Sequence, residues 1–292
     1  MRSTGFGSVL AEAGLTGPLA EVALTSHHRR SRCTFVATGE EGRVVVKAYG
    51  ESEDPAPLVE FLSRIERSAP GPSPVAVPEV LAYDSRLHLL VMRWLDGPSA
   101  EELIVRGSGA WAGELAASWL RTAASMRVEL GPVFGQGSVL NDVRRSLRAI
   151  DEHDGELGRE ARVLAHTISA DPPLESDPIV SNGSFRAEHV LDLGDRPALI
   201  DWDAFRRAPA GLDAGMFLAG LSFLAQERPK TTDQAEAARA EFRDGLTGVV
   251  HDRALAWYRA TALLRLAKFR PGERRWRARA TALIAEARGL LG

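Results

Sequence analysis

Apolar and polar positions along this chain follow two different periods, and the change falls close to residue 96. Before it, short β-branched or alternating runs dominate. Residues 21–24, 33–38 and 43–49 read as a hairpin and a third strand, with the polar stretch 25–32 and the turn 39–42 between them. Residues 58–67 carry apolar side chains at 58, 61, 62 and 65, the spacing of one helix face. A Pro/Gly/Ser linker at 69–74 ends that helix. Residues 77–83 and 88–92 predict two more strands, and 93–97 a hinge. Beyond it the period becomes helical. Ser99 is an N-cap with Glu101 and Glu102 in the first turn, and helices are expected over 113–128, 211–226, 232–247, 252–269 and 274–291. One stretch interrupts them: at 181–215, two short apolar runs, Val190-Leu191 and Ala198-Leu199-Ile200, flank an acidic turn at Leu193-Gly194-Asp195.

The pattern describes an α+β chain of 292 residues, enough for one large domain or for two lobes divided at the hinge, 1–96 and 97–292. A net charge of −3 gives no footprint for nucleic acid or for an anionic membrane. The most apolar window, 216–225, is too short to span a bilayer, and residues 1–30 contain no secretory h-region. Cys33 is the only cysteine, which excludes an internal disulfide; on an apolar strand it reads as a small core residue, and the chain as cytoplasmic. Of 36 basic residues only Lys47, Lys230 and Lys268 are lysines. In a chain that uses arginine so consistently, a lysine ending the strand Arg43-Val44-Val45-Val46-Lys47 suggests a compact ammonium on a phosphate. Two glycine-rich strings carry no such meaning. Gly5-Phe6-Gly7 lies too far before Lys47 to share one cradle, and Gly135-Gln136-Gly137 lacks a preceding strand and a third glycine.

The polar groups of 181–215 sit at the ends of the short strands: Asn182-Gly183-Ser184, then His189, then Asp201-Trp202-Asp203, then Asp213. This layout resembles the aminoglycoside phosphotransferase and choline kinase family, whose motif reads His-Gly-Asp, a loop ending in Asn, a strand, a turn and Ile-Asp-Trp/Phe. The phrases at 77–84 and 89–97 resemble the same family's N-terminal lobe. The resemblance covers roughly residues 20–270 and implies a two-lobed protein-kinase-like fold, with a small antiparallel-sheet N-lobe and a larger, mostly helical C-lobe.

On that pattern Asn182 takes the place of the histidine, and Ser184 that of the aspartate that orients the acceptor hydroxyl and takes its proton. His189 replaces the metal-binding asparagine, Asp201 matches the aspartate that holds Mg²⁺, and Asp213 matches a later structural aspartate. Lys47 matches the strand lysine on the nucleotide phosphates, with Glu60 or Glu66 as its helix partner. Met92 and Trp94 fall at the hinge edge where an adenine would meet backbone groups. Arg29, Arg30 and Arg32 stand where a glycine-rich loop would cover phosphates.

Ser184 and His189 depart from the pattern. A neutral hydroxyl is a poor general base, and imidazole suits softer metals than Mg²⁺. His189 has three alternative uses: a hydrogen bond to phosphate, a substitute base, or a space-filling side chain. Glu188 and Asp203 are further candidates for a rearranged site. Two functional readings follow. One is a weakened or inactive, pseudokinase-like protein that binds ATP or another nucleotide with Mg²⁺, or another ligand, and acts with a protein partner. The other is a working ATP-dependent phosphotransferase on a hydroxyl of a small metabolite, antibiotic or peptide. The basic run 273–279 reads as a solvated helix face or a partner surface.

Overall fold

A computed structural model describes residues 5–28, 31–68, 74–126, 128–269 and 275–292. The chain divides into two units, Met1–Asp96 with Ala198–Ile200, and Gly97–Pro197 with Asp201–Gly292. The first begins with helix α1 (Phe6–Glu12), followed by strands β1 (Glu21–His28), β2 (Arg32–Gly39) and β3 (Gly42–Tyr49), helix α2 (Ala56–Ser68), and strands β4 (Val80–Asp84) and β5 (Leu89–Arg93). The strands form one antiparallel sheet in the order β1-β2-β3-β5-β4. Alternation along β3 sends Val44 and Val46 into a core with Val9 and Leu10 of α1 and Val91 of β5, so Lys47 shares the opposite face with Val45.

Several boundaries differ from the sequence expectation. The polar stretch 25–32 is mostly strand, because His27 pairs with Cys33 and His28 with Arg32, and ladder pairing overrides its polarity. Residues 6–12, with no side-chain cap, form α1 by burying Val9 and Leu10. Cys33 is half-buried in β2 rather than a core residue.

The second unit opens with α3 (Ala100–Val105), whose predicted cap is a capping box: Glu102 N–H donates to Ser99 Oγ (3.1 Å), and Ser99 N–H to Glu102 Oε2 (2.8 Å). It continues through α4 (Gly109–Ser125), α5 (Gln136–Asp151) and α6 (Gly155–Ala170). Four short strands follow along the chain, β6 (Ile179–Ser181), β7 (Val190–Asp192), β8 (Pro197–Leu199), most of which is counted with the first unit, and β9 (Arg206–Ala208). The chain closes with α7 (Ala210–Glu227), α8 (Thr232–Gly245), α9 (Asp252–Leu266) and α10 (Trp276–Gly289). Strand β6 pairs with β9 antiparallel. The expected helix at 113–128 starts four residues earlier, at Gly109, and stops before the extended residue Met126.

Helix α7 is apolar around most of its circumference and almost wholly buried, as such a helix must be. It lies against α9 so closely that a Cβ on Gly215 would stand 2.5 Å from the Tyr258 carbonyl carbon and 2.6 Å from the Arg259 amide nitrogen. Trp257, Tyr258 and Trp276 are core residues of this unit. In the basic run 273–279, residues 273 and 274 lie outside the described residues. Arg277 is exposed and pairs with Asp154 (2.6 Å) and Glu156 (2.5 Å). Arg279 is buried on Glu227 (2.7 Å) and over the Phe223 ring, so the run is not uniformly a solvated face.

Two glycine substitutions in one helix test this packing. Gly215→Ala is expected to destabilise by about 1–3 kcal/mol, since the methyl meets backbone that cannot yield. Gly220→Ala, where an added Cβ has no neighbour within 4 Å, is expected to stabilise by about 0.5–1 kcal/mol through helix propensity. Urea unfolding of the two variants beside the wild type measures both signs.

Candidate active site

The loop after β6 is built on one buried carboxylate. Asp213, in the first turn of α7, accepts from Ser181 Oγ (3.0 Å), from the Asn182 amide (2.9 Å) and from the Gly183 amide (3.2 Å). Gly183 is required at its position twice over. Its φ is +70°, and a Cβ there would meet the Ala204 carbonyl at 2.3 Å and Arg206 Nε at 2.4 Å. Asn182 is fully buried. Its Oδ1 accepts from the Ser184 amide (3.1 Å), closing an Asx turn, and its Nδ2 donates to the Asp201 carbonyl (3.0 Å). Phe185 anchors the far side of the loop on Phe217 and Phe242.

That Asn182 bond holds Asp201 in the left-handed region, φ 58° and ψ 64°, where an L-residue other than glycine costs about 1–2 kcal/mol. The fully buried Trp202, edge-on to Trp119, fixes the residue that follows. Asp201 Oδ2 thereby stands 3.5 Å from His189 Nε2. Asp203 follows in the same 3₁₀ turn, Trp202–Ala204.

The tautomer of His189 follows from its neighbours. The ring is buried, and Nδ1 lies 2.8 Å from the Ser184 carbonyl, which only accepts, so Nδ1 carries the proton. Nε2 then presents a lone pair in the neutral ring, 3.3 Å from Arg186 Nη2. Burial holds the imidazole below its ordinary pKa, with Arg186 acting the same way against the opposing charges of Asp201 and Glu188. Glu188 is taken by Arg186 at 2.7 Å. The site therefore offers a carboxylate oxygen and a ring nitrogen side by side. The oxygen suits Mg²⁺, while the nitrogen suits a softer divalent ion such as Mn²⁺. Among the described residues no three His, Cys, Asp or Glu side chains group closely enough to hold a metal by themselves.

The second unit thus brings Ser184, His189, Asp201 and Asp213 together around one loop. Lys47, Glu60, Met92 and Trp94 belong to the first unit. Lys47 is 5% exposed, opposite Thr34 and Leu90 in the sheet. Glu60 is half-exposed and its carboxylate bonds Arg64 Nη2 at 2.7 Å, a helical i,i+4 pair. Met92 is buried in β5. Trp94 is half-buried under the Arg43 guanidinium, 4.7 Å from its ring centre. Arg29, Arg30 and the Glu66 side chain lie outside the described residues. Sequence reasoning missed Arg186 and Arg206, which touch the loop directly; in a chain with 33 arginines neither stands out.

The buried hub has a pH signature. Burial pushes the Asp213 carboxyl up to about 6, against the hydrogen bonds from Ser181, Asn182 and Gly183 that hold it down. An unfolded carboxyl near 3.8 binds its proton less tightly. The stability this raises is therefore complete below about pH 3.8 and lost as pH rises through about 6. Thermal melts from pH 4 to 7.5 are expected to show that decline in the wild type and not in Asp213→Asn. The variant, with one acceptor oxygen for three donors, should also lose about 1–3 kcal/mol at pH 5.

Comparison with known proteins gives the family and the fold. The phosphotransferase enzyme family matches residues 26–257. No curated protein sequence matches the chain. A choline/ethanolamine kinase family protein from Mesorhizobium loti is 17% identical over 98% of this chain and 95% of that one, with a TM-score of 0.62. An aminoglycoside-3'-phosphotransferase of type VIII is 19% identical over 88% and 98%, also at 0.62. A thermostable mutant of aminoglycoside phosphotransferase APH(4)-Ia, in ternary complex with ADP and hygromycin B, is 13% identical over 99% and 98%, at 0.64. At these identities the likeness establishes the kinase-like α+β fold, with its five-stranded antiparallel sheet and mostly helical C-terminal region. No helix among the described residues is long and apolar enough to cross a membrane. With the family match spanning most of its length, the chain belongs to the phosphotransferase enzyme family.

Proposed function

We propose that this protein binds ATP with a divalent ion and transfers its phosphoryl group slowly or not at all, acting in the cytoplasm as a ligand-binding, pseudokinase-like member of its family, together with a protein partner. The observation that carries the reading is Ser184. It occupies the loop position that the family pattern gives to a proton-accepting carboxylate, and its hydroxyl is neutral at pH 7. Losing a general base costs about 10²–10⁴-fold in rate. The imidazole five residues on is a weak replacement, because burial and the Arg186 charge hold it below its ordinary pKa.

The remaining parts suit nucleotide binding. Lys47 is a desolvated ammonium for the phosphates, and Asp201 supplies the carboxylate oxygen for the ion, with His189 Nε2 beside it. An ion held there would neutralise charge on the phosphates, and phosphoryl transfer depends mainly on such positioning and electrostatics. That dependence favours the second reading, a working phosphotransferase on a hydroxyl of a small metabolite, antibiotic or peptide.

Calorimetric titration with ATP and Mg²⁺ or Mn²⁺, beside Lys47→Ala and Asp201→Ala, separates the outcomes. Binding that needs the metal and both side chains is expected, tighter with Mn²⁺. No binding by the wild type would overturn the proposal. Ser184→Asp is expected to raise γ-phosphate release by about 10²-fold, the contribution of a restored base. Steady rapid release by the wild type, abolished in Asp201→Ala, would instead establish the working enzyme.

A further inference from the structure

Around the loop 181–189 the second unit gathers more guanidinium donors than it has acceptors. Arg206 leaves β9 against Gly183, its Nε donating to the Ala204 carbonyl (2.9 Å) and its guanidinium lying over the Phe134 ring, 4.3 Å from the centre. Phe134 in turn lines a narrow cavity with Asp142, Leu212, Met216, Tyr258 and Arg265. Arg265, in the last turn of α9, is half-buried and makes no hydrogen bond or ion pair to any described residue. On the loop itself, Arg186 bonds Glu188 and His189, yet its buried Nε has no partner among the described residues.

The neighbouring carboxylates are already in use. Asp213 accepts the three loop donors, Asp142 is bonded to Arg145, and Glu188 holds Arg186. Phe134, under the Arg206 guanidinium and in the wall of the Arg265 cavity, links the two arginines; burial lowers the Arg265 pKa, Asp142 and Asp213 oppose that shift, and the charges of Arg206 and Arg186 add to it. Tyr258, in the same cavity, has its phenol pushed up to about 12 by burial and so remains a hydrogen-bond donor. The half-buried Arg265 guanidinium keeps unused donors, and an anion at the cavity mouth would complete them. A free volume near 20 Å³ admits the end of a ligand and not a whole one.

We infer that Arg265 and Arg206, with Tyr258, form an oxyanion-binding subsite beside the loop 183–186, which takes the carboxylate or phosphate end of the acceptor or regulatory ligand. Calling that ligand an acceptor rests on the phosphotransferase reading; the subsite itself is a matter of binding.

The test titrates the whole protein with inorganic phosphate and, separately, with malonate, in the wild type, Arg265→Gln, Arg206→Gln and Lys47→Ala. Saturable binding is expected, at least tenfold weaker in each arginine variant; the tighter anion names the group. Binding that survives Arg265→Gln and disappears in Lys47→Ala would place the anion on the nucleotide side and overturn the subsite. An absence of saturable binding would do the same. In ligand-free buffer Arg265→Gln should raise the thermal midpoint, because an uncompensated cation is removed; a fall would mark the arginine as structural and overturn the proposal. ATP titration is read independently. Arginine-dependent phosphate binding without ATP binding would sustain the subsite while removing the nucleotide reading.

Discussion

Everything at this site hangs on a carboxylate that never meets solvent. Asp213 is placed by the first turn of α7, and its two oxygens gather a hydroxyl and two consecutive backbone amides from the strand end opposite. Consecutive amides converge on one acceptor only if the chain turns sharply between them, and the turn falls on Gly183 at φ +70°. Once that turn exists, Asn182 is oriented with one end on the Ser184 amide and the other on the Asp201 carbonyl. The Ser184 carbonyl then sets the His189 tautomer, and the left-handed backbone of Asp201 brings its carboxylate to the ring. Each link satisfies a group that would otherwise be buried unpaired, and leaving one unmade costs about 1–3 kcal/mol. The loop is therefore over-determined, and it tolerates a strained aspartate for that reason.

The same helix that places Asp213 is the packing centre of its unit. A nearly all-apolar α7 is compatible with burial on all sides only if its neighbours approach closely. Gly211 and Gly215 allow this by removing the side chains that Tyr258 and the backbone beside it would strike. At the other end of the helix, charge does what apolar contact cannot. Ser222 accepts from Arg239 (3.0 Å), Glu286 holds Arg259, and Glu227 holds Arg279, so α7, α8, α9 and α10 are joined through planar guanidinium forks. Lysine would not span the same contacts, since a point ammonium lacks the fork. Part of the chain's strong arginine preference thus has a structural use in its interior.

How much of this was legible in the sequence depended on whether each signal was local. The β-branched run into Lys47 and the apolar face of α2 declare themselves, and Ala198-Leu199-Ile200 marks the approach to Asp201. Helices α7 to α9 were found within one to three residues of their ends. Helix α5 was hidden because its start has no local cap: the Gln136 amide bonds Glu175, 39 residues away, and the Gly135-Gln136-Gly137 string suggests a loop. By contrast α3 declared its boundary through the Ser99 and Glu102 box. In the site, Ser184, His189, Asp201 and Asp213 were picked out because their spacing resembles the family's motif. The arginines around them were not, because composition had removed their contrast, and because the tie between Arg206 and Gly183 exists only after β6 and β9 pair.

The departures at the loop gain coherence when their charges are considered together. On the proposed function, the hydroxyl of Ser184 in place of a carboxylate removes a negative charge from a loop that carries Arg186 and meets Arg206 at Gly183. An aspartate at that position would pair with one of these cations or repel an incoming oxyanion. A neutral serine does neither, and it leaves the guanidinium donors available in a partly desolvated setting, where a charge-assisted hydrogen bond is about twice as strong as a neutral one. On that reading one position has opposite consequences for two properties: proton acceptance is weakened, while the field toward an anionic ligand becomes more favourable. On the proposed function, a site that gives up transfer rate while gaining affinity for an anion is suited to holding its ligand rather than turning it over.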